Sequence, residues 1–189
     1  MKRPLACALV LIVCSACSQD TRDAANPVAP SPSGLSRVTV SSVSVPSNYR
    51  AHLSGDQVVP PRDTLAQGEA VLQLSPDGTE LSYRVIASNI NNVTGAHIHL
   101  AAAGSLGPLT AFLLAPVPPA GGRTDGVLAE GTLTAANLFG PLAGHPLSAL
   151  VSAIEAGNAY VDIPTSDGVP PPATGPGDFP AGELRGQLR

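Results

Sequence analysis

The chain has 189 residues, of which 43% are hydrophobic, 13% charged and only 3% aromatic, with 20 prolines and 19 glycines. This composition favours a loop-rich β domain with a disordered portion over a helical protein. The formal net charge is −4, so the chain has no excess of basic residues with which to neutralise phosphates. Nucleic acid is therefore excluded as an expected partner.

Residues 1–16 are typical of an export signal. Lys2 and Arg3 supply positive charge, and Leu5 to Val13 is an unbroken apolar run. A membrane-spanning helix needs about 20 apolar residues, so this run is too short to remain as a permanent membrane helix. We interpret residues 1–16 as a signal peptide that is removed.

Cys17 follows two small residues, and this pattern resembles a bacterial lipobox, in which the cysteine is lipidated and becomes the first residue of the mature protein. Cys14 stands where a lipobox usually has leucine, and the valine before it makes Cys14 the poorer candidate. The chain has 3 cysteines, at positions 7, 14 and 17, so cleavage after residue 16 leaves only Cys17, which has no second cysteine in the chain with which to form a disulfide. The alternative is an ordinary secretory peptide that leaves Cys17 as a free thiol. The lipobox interpretation predicts a lipid-anchored, extracytoplasmic protein of the cell envelope.

Removal of residues 1–16 would lower the number of basic residues from 10 to 8 against 14 acidic residues, a net charge of −6. The remaining chain contains no lysine. Attraction to anionic lipid headgroups is not expected from such a chain. The membrane is therefore a predicted partner only through the acyl chains of the anchor.

Residues 17–47 are interpreted as a flexible tether. Asn26 to Gly34 contains prolines at positions 27, 30 and 32 and nothing large to bury, so this stretch should be extended and mobile. Val38 to Val45 alternates in two short pieces, but the two serines between them break the register. We expect at most an edge strand there, before a single domain at residues 48–189.

The domain opens with a short strand from Tyr49 that must end at Pro60-Pro61, because proline cannot donate to a strand ladder. A hairpin follows. Glu69 to Leu74 and Glu80 to Val85 flank Ser75-Pro76-Asp77-Gly78, whose proline and glycine positions predict a type I turn.

The next predicted strand contains Ala96-His97-Ile98-His99. Its two-residue period places His97 and His99 on one face, about 6.6 Å apart along the strand. The two imidazoles can therefore converge on one ligand. His-x-His is a weak pattern by itself, and the alternative is a pair of histidines that are hydrogen-bonded at the end of a sheet.

The remaining elements are mostly strands. One helix is predicted from Pro146 to Ala156, because proline occupies its first position, apolar residues follow at helical spacing and Gly157 ends it. Thr134 can cap a single further helical turn. The other predicted strands are Pro108 to Leu114, Gly126 to Leu133, Asn158 to Ile163 and Phe179 to Leu188.

Four motifs occur in the order and at about the spacing of the CHRD domain, the chordin-type repeat also found in exported bacterial proteins. They are Leu53-Ser54-Gly55 through Pro60-Pro61, Ala96-His97-Ile98-His99, Gly157-Asn158-Ala159-Tyr160-Val161 and Gly182-Glu183-Leu184-Arg185-Gly186-Gln187-Leu188. The chain is identified as a member of that family over residues 48–189. The resemblance implies an all-β fold, an immunoglobulin-like antiparallel β-sandwich or barrel with one short helix here, and it leaves the biochemical role open.

The chain departs from the family pattern in several places. Val58 stands where the family usually has glutamate. Asp162 replaces the usual asparagine, and Pro164 replaces a histidine two residues later. A longer loop, Ser166 to Asp178, precedes the last strand. A family site that uses the missing histidine is therefore not expected to be intact.

Three function classes remain. A non-enzymatic, membrane-anchored binding module for an unknown extracytoplasmic protein or small ligand is favoured by the tether, the lipobox and the CHRD resemblance. The alternative is a zinc- or copper-binding protein, because Ala96 to His99 is similar to the paired-histidine strand of copper/zinc superoxide dismutases. An enzyme is less favoured, since the domain has no Gly-x-Ser-x-Gly elbow and no cysteine.

The residues predicted to form the ligand or partner site are His97, His99, Asp162, Glu183 and Arg185. For a metal, His97 and His99 supply two ligands, and a third would have to be Asp162, Glu183 or His52. Glu183 and Arg185 share one face of the last strand. They form either a solvated pair or a site in which Arg185 makes a bidentate bridge to Asp162 or Glu183.

Overall fold

The structure is a computed structural model that describes residues 47–189. The predicted signal peptide, the lipidation site at Cys17 and the alternating stretch Val38 to Val45 lie outside the described residues. The described part is mostly antiparallel β-sheet with one short helix, as the sequence predicts. Its elements are β1 (Asn48–Ser54), β2 (Gln67–Leu74), β3 (Leu81–Asn91), β4 (Ala96–His99), β5 (Leu109–Leu114), β6 (Arg123–Leu133), α1 (Leu147–Glu155), β7 (Tyr160–Ile163) and β8 (Leu184–Gln187).

The eight strands form one sheet in the order β5-β4-β7-β8-β1-β2-β3-β6, and neighbouring strands are antiparallel. The end strands β5 and β6 lie against each other, so the sheet curls into a nearly closed barrel. Of the two architectures predicted from the sequence, the barrel is therefore the one observed. Near closure leaves little unpaired strand edge.

The predicted hairpin is confirmed as β2 and β3. Leu74 pairs with Leu81 across the turn. The amide of Gly78 donates to the carbonyl oxygen of Ser75 at 2.9 Å, and Gly78 has a φ of +73°, a conformation that glycine adopts at little cost. Leu72 and Val85 are fully buried, so the apolar face of each arm points into the barrel.

The predicted helix is also confirmed, as α1 with Pro146 at its N-cap. Its end forms a Schellman motif, because Asn158 N–H donates to the Ala153 carbonyl and Gly157 N–H to the Ile154 carbonyl, at 2.8 and 2.9 Å. The helix buries an apolar stripe that includes Leu150. Among residues 47–189, no helix has the length and apolar character required to cross a membrane.

The apolar core lies inside the barrel, and β4, β7 and β8 contribute to it by strict alternation. Ile98, Val161 and Leu184 are fully buried. The residues next to each of them in the same strand point to the opposite, outer face of the sheet. Because β4 pairs with β7 and β7 pairs with β8, the outward residues of the three strands form one continuous surface.

Gly186 explains how β1 and β8 come together. A Cβ at this position would collide with the carbonyl oxygen of His52 on β1. The two strands are in register where Ser54 faces Arg185. Gly186 therefore permits the backbones of β1 and β8 to approach closely. This approach fixes the position of Arg185 along β8 relative to β1.

Candidate functional site

Polar side chains form two rows across the outer face of β4, β7 and β8. In one row, His97 is paired with Asp162, which is paired with Arg185. In the other row, His99 is paired with Tyr160, which is paired with Gln187. We refer to these six residues as the outer-face cluster. The pairing of β7 between β4 and β8 is what brings together residues that are distant in sequence.

His97, His99 and Asp162 lie close enough to share one ligand. Nδ1 of His97 and Nε2 of His99 are each 3.2 Å from Oδ1 of Asp162. One nitrogen or oxygen of each residue lies within 4.8 Å of those of the other two. Among residues 47–189, these three residues are the His, Cys, Asp or Glu side chains whose ligand atoms are close enough together to hold one metal ion. Of the third ligands considered from the sequence, Asp162 is the one in position.

The His99 ring is oriented by a backbone carbonyl. Its Nδ1 lies 2.9 Å from the oxygen of Gly107, in the loop after β4, and only a protonated Nδ1 can donate to that oxygen. Nε2 then lies 3.2 Å from Oδ1 of Asp162. The Tyr160 ring stacks on the imidazole, with centroids 5.1 Å apart and an interplanar angle of 13°. His99 is therefore held from two directions.

The contact between His99 and Asp162 does not have hydrogen-bond geometry. Nε2 of His99 and Oδ1 of Asp162 are both buried and have no hydrogen-bond partner among the described residues. With Nδ1 protonated, a neutral His99 has a lone pair on Nε2, and the neighbouring carboxylate oxygen also has lone pairs and no proton. Two lone pairs at this distance repel each other unless a cation lies between or beside them.

The pKa values of His99 and Asp162 are both shifted in the direction that favours a positive His99 next to a negative Asp162. Burial acts to lower the pKa of His99, but the Asp162 carboxylate and the Gly107 carbonyl outweigh it, and the pKa is raised from its ordinary value. Burial acts to raise the pKa of Asp162, but His97 and His99 outweigh it, and the pKa is lowered. The pair therefore attracts a cation, either a proton or a metal ion.

Arg185 forms neither of the bridges considered from the sequence. The ion pairs among the described residues do not include it. Its guanidinium carbon lies 3.6 Å from the centroid of the Tyr160 ring, and Nη2 donates to the Ala102 carbonyl at 3.1 Å. The guanidinium thus lies over the Tyr160 ring and forms no ion pair with Asp162 on the neighbouring strand. Nor is Arg185 part of a solvated pair, because the residue is only 3% exposed.

Glu183 is a structural residue and does not join the outer-face cluster. Its carboxylate accepts hydrogen bonds from the hydroxyls of Thr64 and Thr165 and from the amide of Gly177, at 2.6, 2.7 and 2.7 Å. The side chain is 1% exposed and ties the loop between β1 and β2, and two points of the loop between β7 and β8, to the start of β8. Its hydrogen-bonding capacity is used inside the protein, so it is not available as the third metal ligand.

His52, the remaining candidate third ligand, lies elsewhere. It is exposed on β1, where it faces Glu69 of β2. His52 is therefore a surface residue and is not part of the outer-face cluster.

Sequence reasoning missed Tyr160, Gln187 and Gly107. Nε2 of Gln187 lies within hydrogen-bond distance of the carbonyl oxygens of Ala101, Gly157 and Ala159, so its two N–H groups hold the loop after β4 and the segment before β7 against the sheet. Tyr160 and Gln187 could have been found, because each lies two residues from a predicted site residue within its strand. The role of Gly107 depends on a carbonyl group, which leaves no signal in residue type.

A family model for the CHRD domain matches residues 49–188. The chain belongs to the CHRD domain family. In comparisons with curated proteins and with solved structures, no significant match is found. In this CHRD domain, one of the departures described from the sequence, Asp162, lies within the outer-face cluster, and another, Pro164, lies just beyond it. Pro164 follows β7, is buried, and accepts a hydrogen bond from Thr94 N–H at 3.0 Å through its carbonyl, so this position contributes to the scaffold.

Proposed function

We propose that the protein is a non-enzymatic CHRD binding module whose His97, His99 and Asp162 bind one divalent transition metal ion, zinc or copper. The observation that carries this proposal is the 3.2 Å contact between two buried atoms without hydrogen-bond partners, Nε2 of His99 and Oδ1 of Asp162. A metal ion bound by both atoms would replace the repulsion between their lone pairs with two coordinate bonds.

The distances support this assignment. Zinc binds histidine nitrogen and carboxylate oxygen at about 2.0–2.2 Å, so two ligands of one tetrahedral ion lie roughly 3.3 Å apart. The two histidine–aspartate distances of 3.2 Å match that separation. The side chains retain 13–17% exposure, which gives an ion a short route from solvent.

The surroundings also have the features of a metal site. Histidine ligands generally donate their second ring nitrogen to a carbonyl or carboxylate, which fixes the ring and the tautomer. The bond from His99 to Gly107 does this. Imidazole nitrogens with one carboxylate suit zinc and copper. Three protein ligands leave a fourth position for water or for a group of a bound partner, and we expect a modest affinity.

Calorimetric titration of zinc and of copper into the protein tests this function. We expect binding with a Kd of about 1 μM or tighter. His97→Ala and His99→Ala should each weaken it at least about tenfold, as loss of a ligand requires. His52→Ala is the matched control, because His52 is an exposed histidine outside the cluster, and it should leave the affinity unchanged.

The competing arrangement is a cluster held by a proton, in which a protonated His99 faces Asp162. It predicts no binding of either metal, both by calorimetry and by competition with a coloured zinc indicator. That result would leave a binding module without a metal and would overturn the metal assignment.

The cellular part of the proposal rests on the sequence alone. We infer that the protein is exported and anchored to a cell-envelope membrane through acyl chains on Cys17, with residues 17–47 as a tether. The basic and apolar segments of residues 1–16 and the small residues before Cys17 support it. This location would expose the CHRD domain to extracytoplasmic metal, proteins and small ligands.

A further inference from the structure

A cleft of about 290 Å³ lies between the segment after β1 and the loop after β4. Its apolar walls are Val58, Val59, Pro61 and Ala103. Arg185 and Gln187 of β8 also line it, and Asp56 contributes an exposed carboxylate. The cleft is distinct from the proposed metal site, because none of His97, His99 and Asp162 lines it.

Arg185 is the unusual group in this cleft. The residue is 97% buried, since only 3% of it is exposed. Nη2 has one acceptor, the Ala102 carbonyl, and Nη1 has none among the described residues. A guanidinium has five N–H donors, so most of its donating capacity is unused. A buried cation without a carboxylate partner is costly, and burial lowers the pKa of Arg185 from its ordinary value.

The neighbouring charges compensate Arg185 only in part. Asp162 on β7 acts on it through space but forms no ion pair with it. The Tyr160 ring supplies a cation–π contact at 3.6 Å. The Asp162 carboxylate is not placed to pair with the guanidinium, and the Tyr160 ring has no carboxylate, so the planar pair of oxygens that a guanidinium binds best is not supplied by either group. The cleft therefore combines apolar walls with a cation that lacks a carboxylate partner.

We propose that this cleft binds a small organic monocarboxylate, whose carboxylate accepts hydrogen bonds from Arg185 and whose short apolar chain lies against Val59 and Pro61. A single charge is expected because the cleft has one cation, and Asp56 would repel a second negative group. The volume is at the small end of the range for ligand sites, about 300–1,000 Å³, which suits a molecule of a few carbon atoms.

Butyrate is a suitable probe, and butyramide is the matched uncharged control. Each is titrated into the full chain, freed of metal by a chelator that is then removed by dialysis, and the amide resonances of Val59, Ala103 and Gly104 are followed by NMR. Butyrate should shift these resonances with saturation, whereas butyramide, phosphate and succinate should do so much more weakly. Because the protein is metal-free, the result does not depend on the proposed metal function.

Two variants and one control test the role of the guanidinium. Arg185→Gln should weaken butyrate binding at least about tenfold, as expected for loss of hydrogen bonds to a charged group. Arg84→Gln removes an exposed arginine on β3 and should change nothing. Asp56→Asn removes the repelling carboxylate and should tighten binding. Since Asp56 is exposed, this second variant remains informative if Arg185→Gln fails to fold.

Three results would overturn the proposal. They are the absence of saturable shifts with butyrate, equal binding of butyrate and butyramide, and an Asp56→Asn variant that binds butyrate no more tightly than the original chain.

Discussion

The carbonyl oxygen of Gly107 lies 2.9 Å from Nδ1 of His99. A loop without regular secondary structure thus fixes a ring that belongs to β4. The loop is itself held to the sheet by Gln187 and Arg185, through the carbonyls of Ala101 and Ala102. The orientation of the imidazole therefore depends on contacts along the whole loop.

Gly107→Ala should disturb the proposed metal site without altering a proposed ligand. A Cβ at Gly107 would collide with the Leu100 carbonyl oxygen, so the loop must move and the hydrogen bond to His99 is lost. We expect zinc affinity to fall by about tenfold or more, the usual cost of losing an orienting hydrogen bond to a ligand. Gly121→Ala is the control, because a Cβ there meets nothing within 4 Å. Equal zinc affinities of the two variants would show that the loop does not orient His99.

Glu183→Gln should lower stability and leave metal binding intact. The carboxylate accepts three hydrogen bonds in a buried position, and an amide can accept through only one of its two terminal atoms. We expect the free energy of unfolding in urea to fall by about 2–3 kcal/mol, as for loss of a hydrogen bond to a buried charge. Glu69→Gln, at an exposed carboxylate, should have little effect. A loss of zinc affinity in Glu183→Gln without a loss of stability would return Glu183 to the site.

Asp77 should titrate near pH 2. Hydrogen bonds from Ser75 and Thr79 lower its pKa from 3.8 to about 2. A lowered folded-state pKa means that the contribution of Asp77 to stability is present above pH 3.8 and is lost as the pH falls through about 2. Asp77→Asn should therefore destabilise the protein near neutral pH and progressively less below pH 3.8. An NMR titration of the Asp77 carboxyl carbon that gives an ordinary value would contradict this.

Cys17→Ser should release the protein from the membrane fraction or leave the precursor uncleaved. Each buried methylene of an acyl chain contributes about 0.8 kcal/mol, so loss of the acyl chains removes the anchor. Fractionation and mass measurement of the processed chain provide the test, with Cys14→Ser as the control. If the Cys17→Ser protein stays in membranes in its processed form while the Cys14→Ser protein does not, Cys14 is the lipidated residue.

Much of the barrel could be predicted from the sequence, because the signals of its elements are local. The alternation of β2 and β3, the glycine of their turn and the apolar stripe of α1 each lie within a few residues. The order of the strands could not be predicted in this way. The placement of β7 between β4 and β8 results from pairing between segments that are distant in the chain, and it carries Asp162 to the two histidines.

The candidate site could also be predicted only where its signals are local in the sequence. His97 and His99 share a face because the strand period requires it, and the structure agrees. The alternation argument failed to describe Glu183, since this residue lies one position before β8, where loop contacts replace the ladder. The stacking of Arg185 on Tyr160 also could not be predicted, because it depends on how two neighbouring side chains share limited space.

The outer-face cluster lies on the side of β4, β7 and β8 opposite the apolar core, so residues of the cluster can be substituted without changing the residues that form the core. Substitutions at Asp162 or Tyr160 alter chemistry on the wall of the barrel, while Val161 and Ile163 continue to hold that wall against the interior. The proposed binding and the packing of the core thus depend on alternate residues of one short strand. Substitutions that change the binding specificity can therefore accumulate at the outward positions. They would not cause the loss of core packing that substitutions in a site inside the barrel would cause.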